Sequence, residues 1–419
     1  MERPGEWVTL DEARRRLVEA VRRLEPVTTS VADALGRVLA REVIAPRDVP
    51  PFAASAMDGH AVRAADVTGD ATNLAVVGSS SAGQPATTHV GPGQSVAIAT
   101  GAALPEGADA VCPIENVTID GASVLITGPV EVGAFVRPAG SDTPAGTTVF
   151  PAGTVLTPAH IGVVASLGLE SVDAYPMPIV GVLATGDELV EPPDVPGPGQ
   201  IYDANRPALL AASRAAGCDT VDLGMVDDDP IALEAALVEA ATRCDVVVTS
   251  GGVSVGVADH AKEVLGRVAS GTVQWMEVRI KPGKPFGFGV LAESGVPVVC
   301  LPGNPVSALV VFELLVRPAL AQLAGRPARP RRTETAVADE PLARGTDGKM
   351  HARRVVAGVD AMGTLHVRSA GGQDSHQLRA LAEANALVLL DDGVSVGVGD
   401  QVRVLVTETD AVAPCGGRP

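Results

Sequence analysis

Two lysines stand three residues apart in Lys281-Pro-Gly-Lys284-Pro285, within a chain that otherwise writes its positive charge as arginine. Of 32 basic residues only four are lysine: Lys262, Lys281, Lys284 and Lys349. An ammonium is a compact, strongly hydrated charge, unlike the planar guanidinium fork. Two of them on a turn stiffened by Pro282 and Pro285 suit phosphate binding, though the same residues also read as a solvated loop. A second group is acidic: Asp187, Glu188, Asp227, Asp228, Asp229 and Asp259. Asp229 and Asp259 serve equally well as helix N-caps. Glu188 and Asp228 are candidate ligands for Mg2+, which takes one or two carboxylates together with substrate phosphate.

A third group is the string Ser250-Gly-Gly-Val-Ser-Val-Gly256, between an apolar run and a helix start. Backbone N–H groups of such a turn, with the helix dipole, can hold an anion. Ser250, Gly251, Gly252, Ser254 and Gly256 are the binding candidates. The string is neither a Walker A nor a GxGxxG sequence, and it reads as readily as a tight turn whose glycines permit close packing. Pro302-Gly-Asn304-Pro305 is a similar turn, whereas the dense turn around Ser55-Ala-Met-Asp58-Gly59 reads equally as the lip of a site or as a structural turn packing Phe52 and Met57. None of the seven histidines has HxxxH or HExxH spacing, so a zinc site is not expected. No Ser/His/Asp or Cys/His arrangement is legible.

The elements that must carry these residues follow from periodicity. Ile179–Ala184, Thr220–Leu223, Asp245–Thr249 and Val296–Leu301 are apolar strands alternating with capped helices, which indicates a doubly wound parallel sheet. The caps are Asn205, Asp229 (followed by Pro230), Asp259 and Asn304. In such sheets ligands bind beyond the carboxyl ends of the strands, and the turns after these four strands, Thr185–Glu188, Val226–Asp229, Ser250–Gly256 and Pro302–Pro305, lie at that edge. Thr9 opens a helix expected to run to about Leu24, and Ser30 is expected to cap a short helix ending near Gly36. Residues 47–141 hold short alternating strands, and Pro158–Leu167 reads as a helix. Alternating strands return from about Thr333 to Thr407, as in a small β-barrel or sandwich.

The division is therefore 1–46 with 142–177 as a split helical domain, 47–141 as an inserted β domain, 178–326 as an α/β domain, 327–410 as a C-terminal β domain, and 411–419 as a tail. At 419 residues, two to four domains fit. A net charge of −18 and 2% aromatics argue against nucleic acid and against an anionic membrane surface. An anionic substrate then needs a local basic pocket. The five cysteines show no CxxC spacing, and Cys244 and Cys300, beside apolar runs, read as small buried residues. No signal-like start and no membrane span is read, so a cytoplasmic protein is expected.

Taken together and in order, these strings resemble the MoeA/gephyrin family: Ser55-Ala-Met-Asp-Gly59, Ile98-Ala-Thr-Gly-Ala102, Arg137-Pro-Ala-Gly-Ser-Asp142, Ala184-Thr-Gly-Asp-Glu-Leu189, Gly199-Gln-Ile-Tyr-Asp-Ala-Asn205, Asp245 to Gly256, Lys281-Pro-Gly-Lys-Pro285, Leu301-Pro-Gly-Asn-Pro-Val-Ser-Ala308 and Gly372-Gln-Asp-Ser375. The resemblance covers nearly the whole chain. It implies four domains in an elongated homodimer and a molybdopterin-binding α/β domain. It implies Mg-dependent insertion of molybdate into adenylylated molybdopterin, giving molybdenum cofactor and AMP. Asp58, Thr100, Asp142, Asp259, Lys281 and Lys284 would be catalytic. The Ser250–Gly256 residues, Pro302, Gly303, Asn304 and Ser375 would bind substrate, and Glu188 and Asp228 would hold Mg2+. The first two domains of one subunit would face the α/β domain of its partner. The molybdopterin adenylyltransferase and apo-molybdoenzymes are further implied partners. A non-catalytic scaffold of the same family, or a molybdopterin adenylyltransferase, are the alternatives. His60 replaces the family's usual Tyr, and Ala204 its usual Ser.

Overall fold

A computed structural model describes residues 6–251, 260–271, 273–342 and 346–408, and the backbone of 413–414. The chain divides into two compact units. One is Val27–Ala174; the other joins Met1–Pro26 to Tyr175–Pro419.

The larger unit is built on a seven-stranded sheet. Its order is Glu6–Val8, Gln274–Val278, Pro285–Val290, Pro297–Leu301, Val246–Ser250, Ile179–Thr185, Asp219–Val226. Neighbours are parallel except on the two sides of Pro285–Val290, which runs against both its partners. The expected parallel sheet is thus mixed, with one reversed strand, because the Lys281–Lys284 turn sends the chain straight back as a hairpin. Helices cover both faces. Val246 and Val248 point into a core shared with Leu209, Phe312 and Leu17. Val247 points into a second core with Leu233, Leu237 and Leu265. A strand buried on both faces is uniformly apolar for this reason.

Thr9 and Asp229 cap their helices through side-chain oxygens, whereas Asn304, at the N-cap of Pro305–Val311, makes no side-chain capping bond. Thr9 accepts from the Glu12 amide at 3.2 Å and starts the helix Leu10–Ala20. Asp229 accepts from the Ile231 and Ala232 amides, ahead of Pro230–Ala240. At Asn205–Ala215, however, it is Asp203 that accepts from the Asn205 and Arg206 amides, and Asn205 is the first helical residue. The Asn205 amide group is thereby released for other work.

The long apolar helix Pro305–Leu323 widens to a π turn over Phe312–Val316. Pro318 follows and has no N–H to give the carbonyl four residues back. That carbonyl, of Leu314, accepts instead from Arg14 Nε at 3.0 Å. By length and composition this helix passes for a membrane span, but 72% of it is buried inside the fold. It is a core helix, and Glu313 and Arg317 interrupt its apolar run.

Residues 333–406 close into a barrel. Met350–Val359 pairs with Leu365–Ser369 on one side and Ala386–Leu390 on the other, and the circuit completes through Thr333–Ala338 and Gln401–Val406. Val355, Val367, Val388 and Val404 fill it.

The smaller unit holds a six-stranded sheet in the order Val117–Asp120, Ser123–Thr127, Ala71–Ser80, Gln94–Ile98, Gly59–Val62, Ala110–Pro113. Beside it, Leu39, Leu156, Val164 and Leu167 form a core of short strands and the helix Pro158–Ser166.

Several sequence expectations are corrected. The first helix stops at Ala20 rather than near Leu24. Ser30 caps no helix: Val27–Ser30 is a strand pairing with Ser171–Tyr175, and Ser30 Oγ closes a turn onto Asp33. The expected helical module carries mainly strands. Of the residues placed there, Glu6–Val8 pairs instead with Met276–Val278 at the edge of the α/β sheet, and the helix Leu10–Ala20 packs Leu10, Ala13 and Leu17 into that unit's core.

Candidate functional site

The carboxyl edge of the large sheet gathers four turns. Asn205, at the start of its helix, ties two of them: its Nδ2 donates to Ser250 Oγ and to the Gly303 carbonyl, both at 2.7 Å. Gly251 has φ of +100°, and a Cβ there would lie 2.4 Å from the Thr185 carbonyl. Its bare backbone therefore allows close packing, which supports that reading of this first loop glycine. Gly252, Ser254, Gly256 and Asp259 lie outside the described residues. Thr185, Glu188, Asn205, Ser250, Gly251 and Gly303 line a depression of about 90 Å³.

Gly303 also lines a larger cavity of about 460 Å³, with Lys281, Lys284, Lys349, Pro302, Asn304, Ser307, Gln373, Asp374, Ser375 and His376. The lysine turn, the Pro302–Pro305 turn and Ser375 of the barrel thus meet at one place. Lys284 Nζ pairs with Glu277 at 3.0 Å. Gly283, at φ +105°, is needed because a Cβ would meet Val311 at 2.5 Å. The barrel loop is fixed twice. The Ser375 carbonyl accepts from the Val306 amide at 3.3 Å, at the start of the long helix. Arg354, fully buried, donates through Nη2 to the carbonyls of Gly372 and Asp374 at 2.7 and 3.3 Å.

The acidic group sits at the same edge. The Asp228 amide donates to Asp187 Oδ1 at 3.0 Å. Burial, and then the negative charges of Asp187 and Glu188, push the Asp228 carboxyl above its ordinary range, against the opposing pull of His260. Glu188 and Asp228 therefore share one electrostatic neighbourhood. Among the described residues no three His, Cys, Asp or Glu side chains group closely enough to hold a metal by themselves. The donors are hard carboxylate oxygens, which suit a cation that also binds substrate phosphate rather than a closed protein cage.

In the smaller unit, Asp58 Oδ1 accepts from the Thr100 amide at 2.7 Å and from Thr100 Oγ at 3.0 Å. These bonds hold its carboxyl below the usual range. Gly59 is required next to it, since a Cβ would fall 2.0 Å from the Cys112 carbonyl. Asp142 lies on a separate turn, where its amide donates to Val49. His60 is buried and its imidazole titrates lower for that reason.

Sequence reasoning missed Lys349, His376, Arg354 and the bridging role of Asn205. The scarcity of lysine was a usable signal for Lys349. His376 and Arg354 become visible only once the barrel loop docks, and the role of Asn205 only once the Ser250 and Gly303 turns meet.

Three family models match the chain. The MoeA N-terminal region (domains I and II) matches residues 8–168, the probable molybdopterin-binding domain 181–322, and the MoeA C-terminal region (domain IV) 336–407. A molybdopterin molybdenumtransferase of Haemophilus influenzae is 38% identical, covering 95% of this chain and 98% of its own. Molybdopterin molybdenumtransferase 2 of Mycobacterium tuberculosis is 39% identical over 94% and 98%. A solved structure of the molybdopterin biosynthesis MoeA protein from Pyrococcus horikoshii superposes with a TM-score of 0.78 at 26% identity, covering 96% of this chain and all of the other.

Proposed function

The chain belongs to the MoeA family and is a transferase of molybdenum cofactor biosynthesis, and on that premise we propose that it inserts molybdate into adenylylated molybdopterin and releases AMP. The observation that carries this is the meeting of a three-lysine cavity with a carboxylate-rich turn set along the carboxyl edge of one sheet. A phosphoanhydride and an oxyanion are both anions, and such donors hold both.

In this reading Lys281 and Lys284 bind the phosphates. Ser250, Gly251, Pro302, Gly303, Asn304 and Ser375 bind the pterin and oxyanion, a role the resemblance also gives to Gly252, Ser254 and Gly256. Glu188 and Asp228 hold Mg2+. When bound, the ion neutralises charge on the phosphoanhydride. The substrate's dithiolene supplies the sulfur ligands, so the buried thiols Cys112, Cys218, Cys244 and Cys300 are not required. Asp58, Thr100, Asp142 and Asp259 belong to the catalytic group, and the working form is a cytoplasmic homodimer. Support for these finer points is the family resemblance.

The test is a turnover assay with purified protein, adenylylated molybdopterin, Mg2+ and molybdate, measuring AMP. AMP release that needs molybdate is expected. ATP consumption with bare molybdopterin, and no AMP release from the adenylylated form, would instead identify an adenylyltransferase.

A further inference from the structure

Resting on the anionic substrate just described, we infer that Trp7 and Lys349 extend the Lys281–Lys284 turn into a polyanion subsite that takes a diphosphate group. Trp7 is a positioning residue there and Lys349 a binding one.

Trp7 lies on the edge strand and is 43% exposed. Three cations surround its ring: Lys284 Nζ at 5.2 Å from the centroid, the Arg279 guanidinium carbon at 5.9 Å and Lys349 Nζ at 6.0 Å. A tryptophan face attracts cations through its quadrupole. These three come from two segments far apart in sequence, and one indole gathers them.

The backbone enforces the gathering. Trp7 registers with Glu277, and the Arg279 amide donates to Val8 at 2.9 Å. The Val278 amide donates to Lys284 at 2.7 Å. The Met350 amide donates to Arg279 at 2.9 Å, and Ile280 registers with Met350. Edge strand, lysine turn and Lys349 turn are therefore stitched to one another by main-chain bonds. The main-chain anchors of the three cations are thereby held together, and the Trp7 ring draws their charged ends to one place.

Lys281, Lys284 and Lys349 all line the 460 Å³ cavity, where Asp374 is the only described acidic lining residue. Three of the chain's four lysines thus serve one cavity in a protein of net charge −18. Ammonium groups on two separate turns can each take a different phosphoryl group, which selects a diphosphate over a single phosphate.

The test uses the full chain carrying Trp275→Phe, so that Trp7 is the remaining indole of the chain's two. Titration with inorganic pyrophosphate should change Trp7 emission saturably. By calorimetry, Trp7→Leu and Lys349→Ala should each weaken pyrophosphate binding roughly tenfold, the loss expected for one charge-assisted contact. Trp7→Phe should restore most of it. Absence of saturable binding, or unchanged affinity in Lys349→Ala, overturns the subsite, and the lysine variant decides alone if Trp7→Leu misfolds. AMP release by the parent chain with pyrophosphate binding indifferent to Lys349 would sink the subsite and keep the function. Binding through Trp7 and Lys349 without AMP release would do the reverse.

Discussion

Asp58 and Asp228 are carboxylates in opposite circumstances. Asp58, in the smaller unit, accepts two bonds from Thr100, which favour its ionised form. Asp228, in the larger unit, is partly buried beside Asp187 and Glu188, which disfavour it. The first turn is electrostatically complete within itself. The second concentrates like charge at the edge of a sheet, an arrangement that gains from a cation. Environments that drive two carboxyls apart in this way mark different chemical tasks.

The largest effects are expected at the acidic edge and its lysine neighbour. Glu188→Gln and Lys281→Ala should each lower AMP release by about a hundredfold or more, as loss of one preorganised charge does elsewhere. Circular dichroism and thermal unfolding should match the parent. Near-parental turnover in both variants would remove Glu188 and Lys281 from the mechanism.

A smaller effect is expected at Asp228. Asp228→Asn should lower the Mg2+-dependent rate while raising the melting temperature by about 1–3 °C, the scale of less than about 1 kcal/mol in a partly exposed setting. The sign follows from the raised folded value. The folded state binds the proton more readily than the unfolded chain. Stability is therefore gained as pH falls through that value and lost as pH rises past the ordinary carboxylate range. A melting temperature that drops in Asp228→Asn would show that its charge is already balanced.

The smallest effect has the opposite sign. Asp58 is depressed, so its contribution to stability is present above the ordinary carboxylate range. It disappears as pH falls through the lowered folded value. Asp58→Ala should flatten the acid limb of the smaller unit's unfolding profile, followed by chemical denaturation at several pH values. An unaltered profile would deny the Thr100 bonds any energetic weight.

Much of the site was legible because its signals are local. Asp229-Pro230 announces a cap by residue type alone, and the lysine turn stands out in an arginine-rich chain. The Val246–Val248 run reveals a strand covered on both faces. What failed was set by distance. Three residues at Glu6–Val8 carry no periodicity, and only pairing with Met276–Val278 makes them a strand. Asn205 looked like a cap until Asp203 took that role. Ser30 obeys its local preference for a turn, yet pairing with Ser171–Tyr175 overrides helix there. Barrel closure depends on Met350–Val359 finding Ala386–Leu390, a non-local match with no signature in either segment.

The short strand at the start of the chain has a protective consequence. It occupies the hydrogen-bonding margin of Gln274–Val278, which would otherwise present open amides and carbonyls to any passing extended peptide. The helix behind it supplies the guanidinium that satisfies Leu314. Trimming the first two dozen residues would thus do more than shorten a tail: it would bare a sticky border and leave an orphaned carbonyl in the longest helix, so clumping is the expected fate of such a shortened protein.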